Sequence, residues 1–203
     1  MSVNVEFHYD FGSPNTYFCH RVIPEIESRT GAKFQYVPIL LGGVFKATNN
    51  KSPMEQFAGV LHKREYQALE IQRFIKRHSL DAYKMNEHFP VNTLHVMRGA
   101  VFARSKDYYA DYIETVYQCM WERSLDMSNP EVIAKALEEA GLPAAEIIAG
   151  AQEPETKQGL IDSTSATVEK GTFGSPTFYV GGEIFFGKDR LREVEEEIVS
   201  QTA

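Results

Sequence analysis

Phe11-Gly12-Ser13-Pro14 places a serine hydroxyl where the chain turns from a strand into a helix. Proline at the first helical position, with serine just before it, is a helix-start signal. The unpaired N–H groups of such a start favour an anion. A hydroxyl beside them can donate a charge-assisted hydrogen bond to it. Ser13 also reads as a plain N-cap, and the two roles are compatible. Gly174-Ser175-Pro176-Thr177 reads as a turn leading into a strand, and Asp189 as the cap of a last helix. Arg190 reads as a surface or structural charge.

The chain supplies few other reactive groups. Its two cysteines, Cys19 and Cys119, form no C-x-x-C pair and read as buried apolar residues. A disulfide between them is not expected in a reducing compartment. The six histidines show no ligand-pair spacing, so no metal is expected.

The elements that must position Ser13 follow from pattern. Residues 3–9 alternate apolar and polar side chains, as a strand does. A helix from Pro14 towards Thr30 follows, with a kink or break expected at Pro24. Gly31 ends it, and residues 33–38 make a second strand, so the unit is a parallel β-α-β crossover. From about Pro53 to about Lys170 the pattern is helical, with stretches near 54–78, 93–105, 108–122, 130–140, 143–151 and 154–170. Its own apolar stripes suggest a compact subdomain. The strand signal returns at residues 177–180 and 183–186 around Gly181-Gly182, a hairpin signature. A helix from Asp189, with Leu191, Val194 and Ile198 on one face, closes the chain.

Composition narrows the partners. The chain has 203 residues and a formal net charge of −7, which argues against nucleic acid as main partner. No apolar run is long enough to span a bilayer. The first residues lack the basic start and apolar stretch of a signal peptide, so a soluble, cytoplasmic protein is expected.

The order β-α-β, helical block, β-β-α is the thioredoxin order with a helical insertion. Four segments extend the comparison. Phe11-Gly12-Ser13-Pro14-Asn15-Thr16-Tyr17 resembles the helix-start segment of DsbA-like proteins, with Ser13-Pro14-Asn15-Thr16 where those have C-P-x-C. Gly174-Ser175-Pro176-Thr177-Phe178 resembles the cis-proline segment that faces it. The other two are Phe89-Pro90-Val91-Asn92-Thr93, followed by Met97-Arg98, and Phe186-Gly187-Lys188-Asp189-Arg190-Leu191. Over essentially its whole length the chain resembles the 2-hydroxychromene-2-carboxylate isomerases and their relatives, the kappa-class glutathione transferases.

That resemblance implies an α/β fold: a thioredoxin-like domain over 1–45 and 171–203 with a large all-helical insertion over 46–170, DsbA-like. It also implies glutathione as cofactor, a homodimer, and a small aromatic substrate. In the isomerase branch the reaction interconverts 2-hydroxychromene-2-carboxylate and trans-o-hydroxybenzylidenepyruvate. With hydroxyls at positions 13 and 16, disulfide exchange by the C-x-x-C route is chemically impossible. Glutathione would supply the thiolate instead, and Ser13 and the helix start would raise its thiolate fraction. Reversible addition of that thiolate to an activated double bond would permit rotation.

Further site residues are implied by the same resemblance. The Ser175–Pro176 bond is cis, leaving the Ser175 backbone to pair with the peptide of glutathione. Lys188 and Asp189 receive its γ-glutamyl end, Lys188 through its backbone. Asn50 contacts the ligand, and Lys63 pairs with a glutathione carboxylate. Asn92 orients the substrate, and Phe11, with other aromatics near the helix start, forms an apolar wall for it. A transferase that conjugates electrophiles, and a non-catalytic binding or chaperone-like module, are the competing readings.

Overall fold

The computed structural model describes residues 3–202. Strand β1 (Val5–Tyr9) leads into helix α1 (Pro14–Thr30) and then strand β2 (Phe34–Pro38). Eight helices follow: α2 (Leu41–Thr48), α3 (Pro53–Gln56), α4 (Lys63–His78), α5 (Leu94–Ala103), α6 (Tyr109–Trp121), α7 (Pro130–Glu139), α8 (Ala144–Gly150) and α9 (Pro154–Glu169). The hairpin β3 (Thr177–Val180) and β4 (Glu183–Phe186), a 3-10 turn (Lys188–Arg190) and α10 (Leu191–Thr202) complete the chain.

The sheet order is β2-β1-β3-β4. β1 and β2 are parallel, with Val5 opposite Phe34, and β3 runs antiparallel to β1, with Phe7 opposite Phe178. The hairpin turn is the two glycines expected, both at positive φ (55° for Gly181 and 105° for Gly182), which is why no larger side chain serves there.

Alternation along β1 separates two faces. Phe7 stacks on Phe178 and meets Tyr36 edge-on, and α1 covers this face through His20, whose ring lies beside Tyr36. Glu6 and His8 point the other way, where Lys170 and Thr167 bond to them from the far end of α9. The interior is one continuous cluster that runs from Phe7 and Phe178 through Tyr112 and Trp121 to Ile133 and Leu137. The helical block therefore shares its core with the sheet.

Two local expectations change. The stretch near 54–78 is interrupted: a capping box between Ser52 and Glu55 starts the four-residue α3, and His62 at φ 64° resets the chain before α4. α1 runs unbroken through Pro24, its buried face of Val22, Ile23 and Ile26 holding the helix on the core.

The joint between α1 and α6 is ionic. Arg21 bonds to Glu114 at 2.7 Å and also reaches Glu122, to which Tyr17 donates at 3.0 Å. His20 lies 2.9 Å from the Glu114 carboxylate. The His20 hydrogen bond, with Arg21, lowers the Glu114 carboxyl to about 2. A depressed carboxylate stabilises the fold above its unfolded pKa and loses that contribution as pH falls through the folded one. Glu114 is partly exposed, so solvent screening leaves a contribution of about 1 kcal/mol. Glu114→Gln is expected to lower the urea midpoint at about pH 6, with the gap to wild type narrowing towards about pH 3.

Candidate functional site

Strand directions bring the reactive segments to one end of the sheet. β1 ends at Tyr9 and β2 at Pro38; β3 begins at Thr177 opposite Phe186, the last residue of β4. The turn before α1, the start of α2, the segment before β3 and the 3-10 turn after β4 all lie at this end.

Ser13 is the N-cap residue of α1, with extended backbone (φ −97°, ψ 119°), yet its side chain makes no capping bond. Its Oγ crosses instead to the Ser175 carbonyl oxygen at 3.3 Å. The hydroxyl is thus held in the seam between the helix start and the proline loop. Its N–H donates to the Asp10 carbonyl at 3.1 Å, which closes the turn. Thr16 is fully buried and donates to the Asp10 and Ser13 carbonyls at 2.8 and 2.7 Å. It ties the turn together. Asn15, in the first helical turn, has a buried Oδ1 with no partner among the described residues.

The Ser175–Pro176 bond is cis, as is Phe89–Pro90. The Ser175 hydroxyl donates to the His8 carbonyl at 3.0 Å, which anchors the loop to β1. The Gly187 N–H donates to the Pro176 carbonyl at 2.9 Å, which brings Lys188 and Asp189 alongside. Lys188 is buried, its ammonium 2.6 Å from Asp189 and 5.0 Å above the Phe74 ring. The Asp189 carboxylate is 68% exposed. Asp189 lies within the 3-10 turn and is not a cap; the N-cap of that turn is Gly187, at φ 99°.

Asn50 reaches the same loop from the insertion, its Nδ2 donating to the Phe173 carbonyl at 2.8 Å. The structure thus joins Ser13, Ser175, Pro176, Lys188, Asp189 and Asn50 through bonds of the chain itself. Lys63, at the first position of α4, is half-buried with its ammonium 4.8 Å above the Phe57 ring. Asn92 is exposed and accepts from the N–H of Leu94, the first residue of α5, at 3.0 Å. None of these contacts links Lys63 or Asn92 directly to Ser13.

Phe11 corrects the expectation of a substrate wall. Its side chain is 0% exposed, with the Tyr117 ring 4.8 Å and the Tyr9 ring 5.2 Å away. Its carbonyl accepts from the Trp121 indole at 2.8 Å. A ring so enclosed packs the core. The accessible aromatic surface at this end is the pair Phe173 and Phe186, 43% and 44% exposed, with ring centroids 4.6 Å apart. Gly174 makes room for it, since a Cβ there would lie 2.8 Å from the Phe186 ring.

No thiol of the chain is poised for chemistry. Cys19 and Cys119 are both buried, and burial raises both pKa values. Such thiols are mostly protonated and poor nucleophiles at neutral pH. The site therefore offers a helix start and a hydroxyl donor, and neither buried thiol of the chain takes part in it.

Comparisons with known proteins agree with the fold. The DSBA-like thioredoxin domain family matches residues 4–199. A 2-hydroxychromene-2-carboxylate isomerase of Sphingobium xenophagum is 23% identical over 201 residues, covering 98% of this chain and all of that one. Glutathione S-transferase kappa 1 of Rattus norvegicus is 28% identical over 200 residues, covering 92% of this chain and 87% of that one. Among solved structures, a 2-hydroxychromene-2-carboxylate isomerase superposes with a TM-score of 0.84 at 22% identity, covering 98% of this chain and 95% of that one. No helix among the described residues is long and apolar enough to cross a membrane.

Proposed function

This chain belongs to the DSBA-like thioredoxin domain family, and from that premise we propose that it is a glutathione-dependent isomerase interconverting 2-hydroxychromene-2-carboxylate and trans-o-hydroxybenzylidenepyruvate. The observation that carries the reading is Ser13: a hydroxyl at a helix start, free of any capping bond, in a chain whose own thiols are buried.

The residues present fit glutathione. Ser13 and the start of α1 suit an anionic sulfur. The backbone of Ser175 suits an extended peptide. The exposed Asp189 carboxylate suits an α-ammonium group, and the unpartnered Asn15 Oδ1 suits a ligand donor. When bound, glutathione supplies the thiolate that adds reversibly to the substrate double bond. Ser13 holds negative charge on that sulfur, and the Phe173–Phe186 pair offers an aromatic substrate an apolar surface beside it. Lys63 and Asn50 would contact glutathione, and Asn92 the substrate carboxylate, as ligand-binding residues of the insertion.

The higher identity to the kappa transferase supports a second reading, conjugation of glutathione to electrophiles. Calorimetric titration with glutathione, followed by an assay for a stable haloarene conjugate, tests both. Binding without conjugate formation is expected. No binding would sink both readings, and rapid conjugation would move the assignment to a transferase.

We also infer a homodimer in the cytoplasm. Met54, Val60, Leu61, Tyr66 and Leu69 are exposed along 54–69, an apolar surface of the kind that covers itself with a second copy. Leu61→Glu is expected to convert a dimer to a monomer by light scattering. An unchanged mass would place the interface elsewhere.

A further inference from the structure

Asp10 is buried beside the site, and its carboxylate is used three times over. Oδ1 accepts from the Gly12 N–H at 2.8 Å and from the Thr93 hydroxyl at 2.7 Å; Oδ2 accepts from the Leu41 N–H at 2.7 Å. Each donor stands at the start of a different helix. Gly12 immediately precedes Ser13, which holds the N-cap position of α1; Leu41 is the first residue of α2; Thr93 holds the N-cap position of α5. The Thr93 hydroxyl leaves its own helix uncapped in order to reach Asp10. No ion pair to Asp10 is formed among the described residues, so N–H and O–H dipoles meet its charge. Packing between the parts is tight: a Cβ on Gly12 would lie 3.2 Å from the Thr93 methyl and 3.3 Å from Asp10 Oδ1.

We propose that Asp10 is the positioning residue of this site: it clamps the starts of α1, α2 and α5 into one arrangement around Ser13, and so sets the thiolate fraction of glutathione bound there. The clamp stands on the three bonds alone; its effect on the thiol rests on the function proposed above. Donors work on a developing or bound anion only when they are held in place beforehand. Asp10 holds the turn that carries Ser13, and through Thr93 it fixes that turn against the segment that carries Asn92. Burial pushes the Asp10 carboxyl upwards while its three hydrogen bonds pull the other way. Losing one donor therefore weakens the clamp directly.

Thr93→Val removes one donor and keeps the shape, and Thr93→Ser restores the hydroxyl. Leu41→Pro removes another, because proline fits the first helical position and Leu40 before it is already extended (φ −96°, ψ 107°). Bound glutathione is titrated by its ultraviolet thiolate absorbance, and amide exchange at Gly12 and Leu41 is measured without ligand. Thr93→Val is expected to exchange about tenfold faster at both amides and to carry about tenfold less thiolate at the same pH, as the loss of one hydrogen bond requires. Leu41→Pro is expected to shift the thiolate titration the same way, and Thr93→Ser to match wild type. Unchanged exchange overturns the clamp. Faster exchange with a thiolate titration identical to wild type overturns its role in the site. If the wild type binds no glutathione, the proposed function fails instead, and the exchange rates alone decide the clamp.

Discussion

Ser13→Ala is expected to lower glutathione-dependent turnover about a hundredfold, the usual cost of removing one donor to a reacting anion, while leaving the fold almost intact. The second half of that expectation is specific to this structure. An ordinary N-cap serine costs about 1 kcal/mol or more when truncated, because a helical N–H loses its acceptor. Ser13 makes no such bond; its hydroxyl donates to the Ser175 carbonyl at 3.3 Å, a long bond whose loss costs about 0.5 kcal/mol. Catalysis and stability should therefore separate. Glutathione still meets the backbone of the proline loop in the variant, but its thiol titrates nearer its free value. A variant that keeps wild-type turnover would remove Ser13 from the chemistry. One that melts far below wild type would show a capping role that the geometry lacks.

Phe11→Ala is expected to destabilise the fold by about 4 kcal/mol, the range for truncating a fully buried aromatic ring. The ring is enclosed by Tyr9, Tyr112 and Tyr117. The backbone on either side of it donates to Met97 and accepts from Trp121. The peptide is thus pinned to two helices of the insertion, which cannot close over the missing volume without moving the Ser13 turn. Phe11→Leu separates packing from ligand contact: it is expected to lower the urea midpoint without changing the KM for an aromatic substrate. A raised KM with unchanged stability would restore Phe11 to the pocket wall.

The parts of the fold legible in the sequence are those with local causes. Alternation at residues 3–9, the Gly181-Gly182 turn and the serine–proline start of the first helix each act within a few residues, and the elements lie where those signals put them. The break between α3 and α4 was hidden because it rests on the turn over 57–62, which ends with His62 in a left-handed conformation. The unbroken α1 was hidden because tertiary packing outweighs the hydrogen bond that Pro24 cannot make. In the site, Ser13 and the Ser175–Pro176 pair were legible from motif and order. Asp10 was not: a lone aspartate after a strand looks like a turn residue, and only the fold brings Leu41 and Thr93 to it. Phe11, expected in a substrate wall, is buried, while Phe186 is exposed, for a similar reason. Both sit beside a turn glycine in an aromatic-rich segment, and only the sheet shows that one lies in the core and the other at an exposed edge.

The central claim is that this site works with a borrowed thiolate. The most direct measurement follows trans-o-hydroxybenzylidenepyruvate by absorbance, with purified protein, in the presence and absence of glutathione. The account predicts rapid conversion with glutathione and none above background without it. Equal rates in the two reactions would contradict it, because they would place the nucleophile, or the whole mechanism, in the chain itself.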